Sequence, residues 1–292
     1  GDAPMAIDYD KLMAWPFGQV EQSYTAKDSI LYALGLGLGA DPLDSDQLRY
    51  TFEEADGFAA LPTMAVVLAG PGFWARDPNS GIAWQKVLHG EQEIELHGPV
   101  PAAATVVGET RITEIIDKGA DKGALLYLER VLTDKATGAK IATLNSTTFA
   151  RGDGGFDGPS GPTRPVHSLP ERDPDSHCDL PVLPQAALIY RLSGDPNPLH
   201  ADPAVAAAAG FKAPILHGLC TLGVAGHAIL KTQCGYDPAR FKSLALRFSS
   251  PVYPGETIRT EMWRDGDIVS FRARVVERDA VVLNNGKAVV AG

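Results

Sequence analysis

Gly218-Leu219-Cys220-Thr221-Leu222-Gly223-Val224-Ala225-Gly226-His227-Ala228-Ile229-Leu230-Lys231 is apolar nearly all the way round a helical projection. It predicts a helix with no face for water, buried on every side. After it the period changes. Lys242 to Phe248, Thr257 to Arg264, Ile268 to Glu277 and Val281 to Val290 are rich in Val, Ile, Thr and Leu, with short polar breaks between them, the pattern of antiparallel strands. A buried helix followed by such a run fits one sheet wrapped round one central helix. Just upstream, Ala204 to Ala209 is a short alanine-rich helix stopped by Gly210.

The plan occurs twice. Leu31-Tyr32-Ala33-Leu34-Gly35 echoes Ile189-Tyr190-Arg191-Leu192-Ser193, and Gly57-Phe58-Ala59-Ala60-Leu61-Pro62 echoes Gly210-Phe211-Lys212-Ala213-Pro214, so the chain reads as an old duplication. Strand-like runs recur at Glu91 to Leu96, Ala104 to Ile116, Ala124 to Thr133 and Lys140 to Ala150, with Lys118-Gly119 and Thr137-Gly138 at the turns. Between the repeats, residues 152–184 are crowded with Gly, Pro, Asp and Ser and read as a long surface connection. The expected division is therefore 1–151, 152–184 and 185–292, and the fold class is α+β, two antiparallel sheets each wrapping a central helix. The first repeat differs in one respect: Thr63 to Ala69, where its central helix belongs, runs into Gly70-Pro71-Gly72, which stops a helix after about two turns. The volume left inside is either filled by other side chains or open as a pocket for an acyl chain, with Phe73, Trp74, Ala65 and Ala69 as candidate lining.

Composition narrows the classes. In 292 residues, 45% are apolar and 21% charged, ordinary for a globular protein and unlike a disordered or membrane-spanning chain. A net charge of -10 argues against broad nucleic-acid contact. Cys178, Cys220 and Cys234 lack metal-ligand spacing, so reduced thiols in a cytoplasm-like compartment are expected. No signal peptide or peroxisomal tail is legible, and Gly1-Asp2-Ala3-Pro4 ahead of Met5 reads as an expression remnant.

The chemistry concentrates in Tyr190-Arg191-Leu192-Ser193-Gly194-Asp195-Pro196-Asn197-Pro198-Leu199-His200. Pro196 and Pro198 stiffen the backbone and forbid regular helix, so Asp195, Asn197 and His200 ride on one loop. A carboxylate and an imidazole around one water can take a proton from that water and return one to carbon, with Asn197 orienting them. Leu216-His217-Gly218 adds a further element: the Gly218 N–H opens the apolar helix, where unpaired donors and the macrodipole would polarise a carbonyl oxygen. Structural readings stand beside these. Asp and Asn next to proline form Asx-turns, and His-Gly before a helix is a capping turn. Asp195 and His200 with Asp202 or His217 could hold a metal, yet no His-x-x-x-His or Cys-x-x-Cys spacing supports one. His227 reads as a hydrogen-bonded core histidine. Gly35-Leu36-Gly37-Leu38-Gly39 lacks the Gly-Lys-Ser/Thr ending of a phosphate loop.

Tyr190 to Ala206, Pro214 to Thr221 and Phe248 to Thr257 together resemble the type 2, R-specific, enoyl-CoA hydratases of the MaoC-like family. Tyr32-Ala33-Leu34-Gly35 and Leu88-His89-Gly90-Glu91-Gln92 resemble the non-catalytic N-terminal half of the two-repeat version in peroxisomal multifunctional β-oxidation proteins. The resemblance implies a double hot-dog fold and reversible hydration of trans-2-enoyl-CoA to (3R)-3-hydroxyacyl-CoA, in fatty acid β-oxidation or polyhydroxyalkanoate precursor supply. It implies Asp195 and His200 as the catalytic pair with Asn197 assisting, Gly218 at the thioester oxygen, and His89, Gly90, Lys118, Pro196, Pro198, Leu199 and Phe248 as substrate-binding residues. Gly37-Leu38-Gly39-Ala40-Asp41-Pro42 stands where the first repeat would carry its own acid/base motif, so one active site per chain is expected. No cofactor beyond the CoA of the substrate, no metal, no nucleic acid and no membrane insertion are implied. A cytoplasmic, free-standing bacterial enzyme is expected, with a homodimer left open. The alternatives are an acyl-CoA thioesterase or carrier-protein dehydratase on the same fold, and a non-catalytic acyl-CoA-binding module.

Overall fold

A computed structural model describes residues 7–292, so the reading of Gly1-Asp2-Ala3-Pro4 lies outside the described residues. The first repeat holds helices α1 (Tyr9–Met13), α2 (Ala26–Gly35) and α3 (Ser45–Thr51) and strands β1 (Gln19–Tyr24), β2 (Val87–Leu96), β3 (Ala104–Asp117), β4 (Ala124–Asp134) and β5 (Lys140–Ala150). The second holds β6 (Ser176–Pro181), α4 (Ala186–Tyr190), α5 (Pro203–Ala208), α6 (Gly218–Cys234), β7 (Phe241–Phe248), β8 (Thr257–Asp265), β9 (Ile268–Val275) and β10 (Ala280–Val290). Every strand expected from composition is present. Two more, β1 and β6, flank them, and β6 lies inside the stretch read as connection, paired along β8.

The two expected sheets are hydrogen-bonded edge to edge into one ten-stranded antiparallel sheet in the order β1-β3-β4-β5-β2-β7-β10-β9-β8-β6. The seam is β2 against β7, in register from Glu91 opposite Arg247 to Glu95 opposite Ser243. Helix α6 fills the second repeat. Leu222 and Ile229 are fully buried and Val224 and Leu230 nearly so, each contributing about 1.5–3 kcal/mol by leaving water. Its glycines let it press against the first repeat: a Cβ on Gly226 would stand 2.6 Å from Thr63 Cγ2.

The equivalent place in the first repeat holds only a 3-10 turn, Pro62–Val67, shorter than the helix in the second, as Gly70-Pro71-Gly72 foretold. Arg130 reaches from β4 to donate to the Val66 carbonyl at 2.8 Å. The duplication is visible in the packing, since Tyr32 of α2 and Tyr190 of α4 face each other with ring centroids 6.0 Å apart. The echoed glycines, Gly57 and Gly210, also share a positive φ, +69° and +89°, the conformation that favours glycine.

The shortened turn leaves a cavity of about 150 Å³ that reaches Gly194, with Leu31, Met64, Val67, Leu68 and Leu192 on its apolar side and Gln22, Asp28 and Ser193 on its polar side. Four expected lining residues are corrected. Trp74 packs with Trp15 and Phe17 in a separate cluster, and Phe73 is exposed with its ring edge-on to Trp84. Ala65 and Ala69 are buried in the core without lining the cavity. In so tight a turn Met64, Val67 and Leu68 take the cavity side.

Candidate active site

Helix α4 passes into a 3-10 turn, Arg191–Ser193, and Gly194 at φ 121° ends it. The chain then runs through Asp195, Pro196 and Asn197 to a second 3-10 turn, Pro198–His200. The Asx-turns foreseen as the structural alternative are present: Asp195 Oδ1 accepts from Asn197 N at 3.2 Å, and Asn197 Oδ1 accepts from Leu199 N at 3.0 Å. They leave Asp195 Oδ2 and the Asn197 amide nitrogen unspent, and both side chains are exposed. Structural and chemical roles coexist in the same residues.

His200 is oriented by the segment that leads into α6. Its Nδ1 lies 2.8 Å from the Ile215 carbonyl oxygen. A carbonyl only accepts, so Nδ1 carries the hydrogen and Nε2 keeps its lone pair. Burial lowers the His200 pKa from the ordinary imidazole value, with the Asp195 charge opposing that shift. The side chain is therefore neutral near pH 7 and able to act as a base.

His217 sits on the other side of the same ring, stacked at 3.7 Å between centroids and 25° between planes. Its Nε2 lies 3.2 Å from the Asp195 carbonyl oxygen, while Nδ1 is buried without a partner. Next in the chain, Gly218 opens α6, and the N–H groups of Gly218 and Leu219 have no backbone acceptor among the described residues. These are the free donors of a helix start. A Cβ there would stand 3.2 Å from Phe248 Cδ1 and press that ring back by a few tenths of an ångström.

Phe248 closes the site from β7 and touches His89 of β2, with ring centroids 4.8 Å apart. His89 is exposed on β2, so the desolvation that lowers its pKa from the ordinary imidazole value is weak there. Gly90 forms the bulge between His89 and Glu91 where β2 pairs with β5. Thus Asp195, His200, Gly218, Phe248 and His89 converge across the seam between the repeats. Lys118 is exposed at the tip of the β3–β4 hairpin, and no contact ties it to Asp195. Pro196 and Pro198 are exposed and Leu199 is half-buried, so they shape the loop. His227 is the core histidine expected, bonded through Nε2 to the Tyr236 hydroxyl at 2.8 Å.

Ligand atoms of Asp195, His200 and His217 lie within 4.8 Å of one another, which prompts the question of a metal. The two imidazoles are stacked, so lone pairs held in nearly parallel planes run side by side instead of converging on a tetrahedral centre. One nitrogen of each ring faces a backbone carbonyl, an arrangement common to metal-bound and metal-free histidines alike. The donor set fits proton transfer better than coordination.

Comparison with known proteins agrees along the whole chain. A MaoC-like domain matches residues 165–285, and an MFE-2 hydratase 2 N-terminal domain matches residues 22–152. A probable enoyl-CoA hydratase 2 of Dictyostelium discoideum is 39% identical over 295 residues, covering 98% of this chain and 97% of that protein. Peroxisomal multifunctional enzyme type 2 of Mus musculus is 40% identical over 271 residues, covering 90% of this chain and 36% of that longer protein. Among solved structures, a MaoC-like dehydratase from Phytophthora capsici has a TM-score of 0.86 at 38% identity, with 98% and 99% of the two chains covered.

Proposed function

The chain belongs to the enoyl-CoA hydratase 2 family, with its MaoC-like domain in the second repeat, and from that membership we propose its reaction and the roles of its residues. It is a hydro-lyase that reversibly hydrates trans-2-enoyl-CoA to (3R)-3-hydroxyacyl-CoA in fatty acid β-oxidation. The observation that carries the residue assignment is the free Nε2 of a neutral His200 beside the exposed Asp195, next to the open start of α6.

In this reading the thioester oxygen sits at the Gly218 N–H, where the helix start stabilises enolate charge. Asp195 and His200 hold one water, and Asn197 orients it. The hydroxyl of that water adds to C3 and its proton is returned to C2 from the same side, so addition is syn and atoms balance. His89 and Phe248 wall the enoyl group. The first repeat, residues 1–151, receives the acyl chain in the cavity behind Gly194, and the second, residues 185–292, does the chemistry. No cofactor and no metal are required in this scheme.

We place the enzyme in the cytoplasm. The support is three unpaired, buried cysteines. The mouse relative is peroxisomal by name, so fractionation of source cells is the check. A homodimer is our proposal for the assembly, tested by light scattering. The reaction itself is tested by mixing crotonyl-CoA and a longer enoyl-CoA with the protein, following loss of enoyl absorbance and resolving the product on a chiral column. An (S) product, or release of free CoA, would overturn it.

A further inference from the structure

His217 breaks two local rules. It occupies the N-cap of α6, where Ser, Thr, Asp or Asn would normally satisfy a helix N–H, and its side chain makes no capping bond. It is also 2% exposed with Nδ1 buried and unpartnered, a cost that a native core seldom carries without compensation. Local rules broken together point to a site where another requirement won.

The compensation lies in what the ring touches. The Nε2 hydrogen points to the carbonyl of Asp195, one ring face backs His200, and the peptide bond on its C-terminal side leads into Gly218. Its hydrogen bond to Asp195 and its stacking on His200 tie both residues to the start of the helix. Around it stand His200 and the Asp195 charge, the Arg191 charge, and the Tyr190 ring at 4.9 Å. Burial, and then His200, press its pKa down to about 4, so the ring is neutral at working pH and the Nε2–H is a fixed donor.

We propose that His217 is a positioning residue that sets Asp195 and His200 relative to each other and to the Gly218 N–H, one side chain fixing the spacing of all three groups. This rests on the assignment of Asp195 and His200 as the acid/base pair. Misplacement of such groups by an ångström is enough to cost on the order of 10²-fold in rate.

Two substitutions separate its two contacts. His217→Phe keeps a stacked ring and removes the N–H; His217→Gln keeps an N–H donor and removes the ring. With crotonyl-CoA, both should lose roughly 10²-fold in kcat with KM nearly constant. The acid limb of the kcat/KM profile should move only in His217→Gln. There water reaches the exposed face of His200 and lets its pKa relax upward toward about 6.5, whereas the phenyl ring of His217→Phe keeps that face dry. Thermal melts run beside the kinetics; if His217→Gln does not fold, kcat of His217→Phe decides. The proposal is overturned if kcat stays within a few-fold of wild type, or if kcat falls only in step with melting temperature and the acid limb stays put. Asp195→Asn in the same assay keeps the two ideas apart: full turnover there sinks the acid/base assignment itself, whereas a dead Asp195→Asn with active His217 variants sinks the positioning role alone.

Discussion

Filling the first-repeat cavity should change which substrates are used far more than how fast a short one turns over. Val67 is the residue to change: it lines the cavity and is only half-buried, so Val67→Trp grows into the open space without displacing a fully packed side chain. Each methylene moved from water into an apolar wall contributes up to about 0.8 kcal/mol, a factor of about four in kcat/KM. Going from a four-carbon to an eight-carbon enoyl-CoA adds four methylenes, hence up to about 3 kcal/mol and roughly 200-fold. The cavity volume of about 150 Å³ limits how much of that gain is reached, and an indole occupying it should remove most of it. The assay is loss of enoyl absorbance with crotonyl-CoA and trans-2-octenoyl-CoA, for wild type and variant, with a melting curve as control. Wild type should favour the longer substrate, and Val67→Trp should erase that preference while crotonyl-CoA changes by only a small factor. A wild type that prefers four carbons, or a variant that slows both substrates equally, would refute the assignment of this cavity to the acyl chain.

Asp195→Asn and His200→Ala should each lower kcat by roughly 10²–10⁴-fold, and the double variant should be little worse than the poorer single, as groups that act as one unit require. Prolonged treatment with a chelator should leave hydration unchanged; loss of activity restored by Zn²⁺ would mean that the Asp195–His200–His217 cluster holds an ion after all. Stability should fall with acid through His227, whose pKa burial depresses to about 4. The unfolded state begins to protonate near 6.5 while the folded state does not, so stability is complete above about 6.5 and is lost as pH falls toward 4. The loss reaches up to about 3 kcal/mol, and urea midpoints of wild type and His227→Gln should converge across that window.

Strand identity was legible because β-branched and apolar residues recur in runs of strand length. The two unforeseen strands are the least apolar. Gln19–Tyr24 buries only Tyr24, and Ser176–Pro181 buries only Cys178, so an edge position leaves almost no periodic signal. Asp195 and His200 were legible because proline spacing confines them to one loop, and Gly218 because an apolar helix begins there. His217 was legible only as a capping residue or a metal ligand beside Asp195 and His200; its stacking on His200 was not, since its partners lie 17 and 22 residues upstream and meet it only through tertiary packing. The cavity was foreseen as an absence of helix, but its walls were not, because which side of a 3-10 turn faces inward depends on the sheet beneath it.

The β2–β7 seam bears on how the two repeats stay aligned. Five consecutive residue pairs, from Glu91 with Arg247 to Glu95 with Ser243, lie along it, and Tyr50 adds a bond from its hydroxyl to the Tyr236 carbonyl. The covalent path between repeats instead runs through residues 152–175, which contain no helix or strand. That path is irregular but pinned to both repeats, to the first where Asp117 accepts from Gly155 N at 2.7 Å and to the second where Asn285 donates to the His167 carbonyl at 2.9 Å, and the ladder adds the regular alignment. His89 and Phe248 therefore meet at an interface the chain makes with itself, much as two separate subunits would make it.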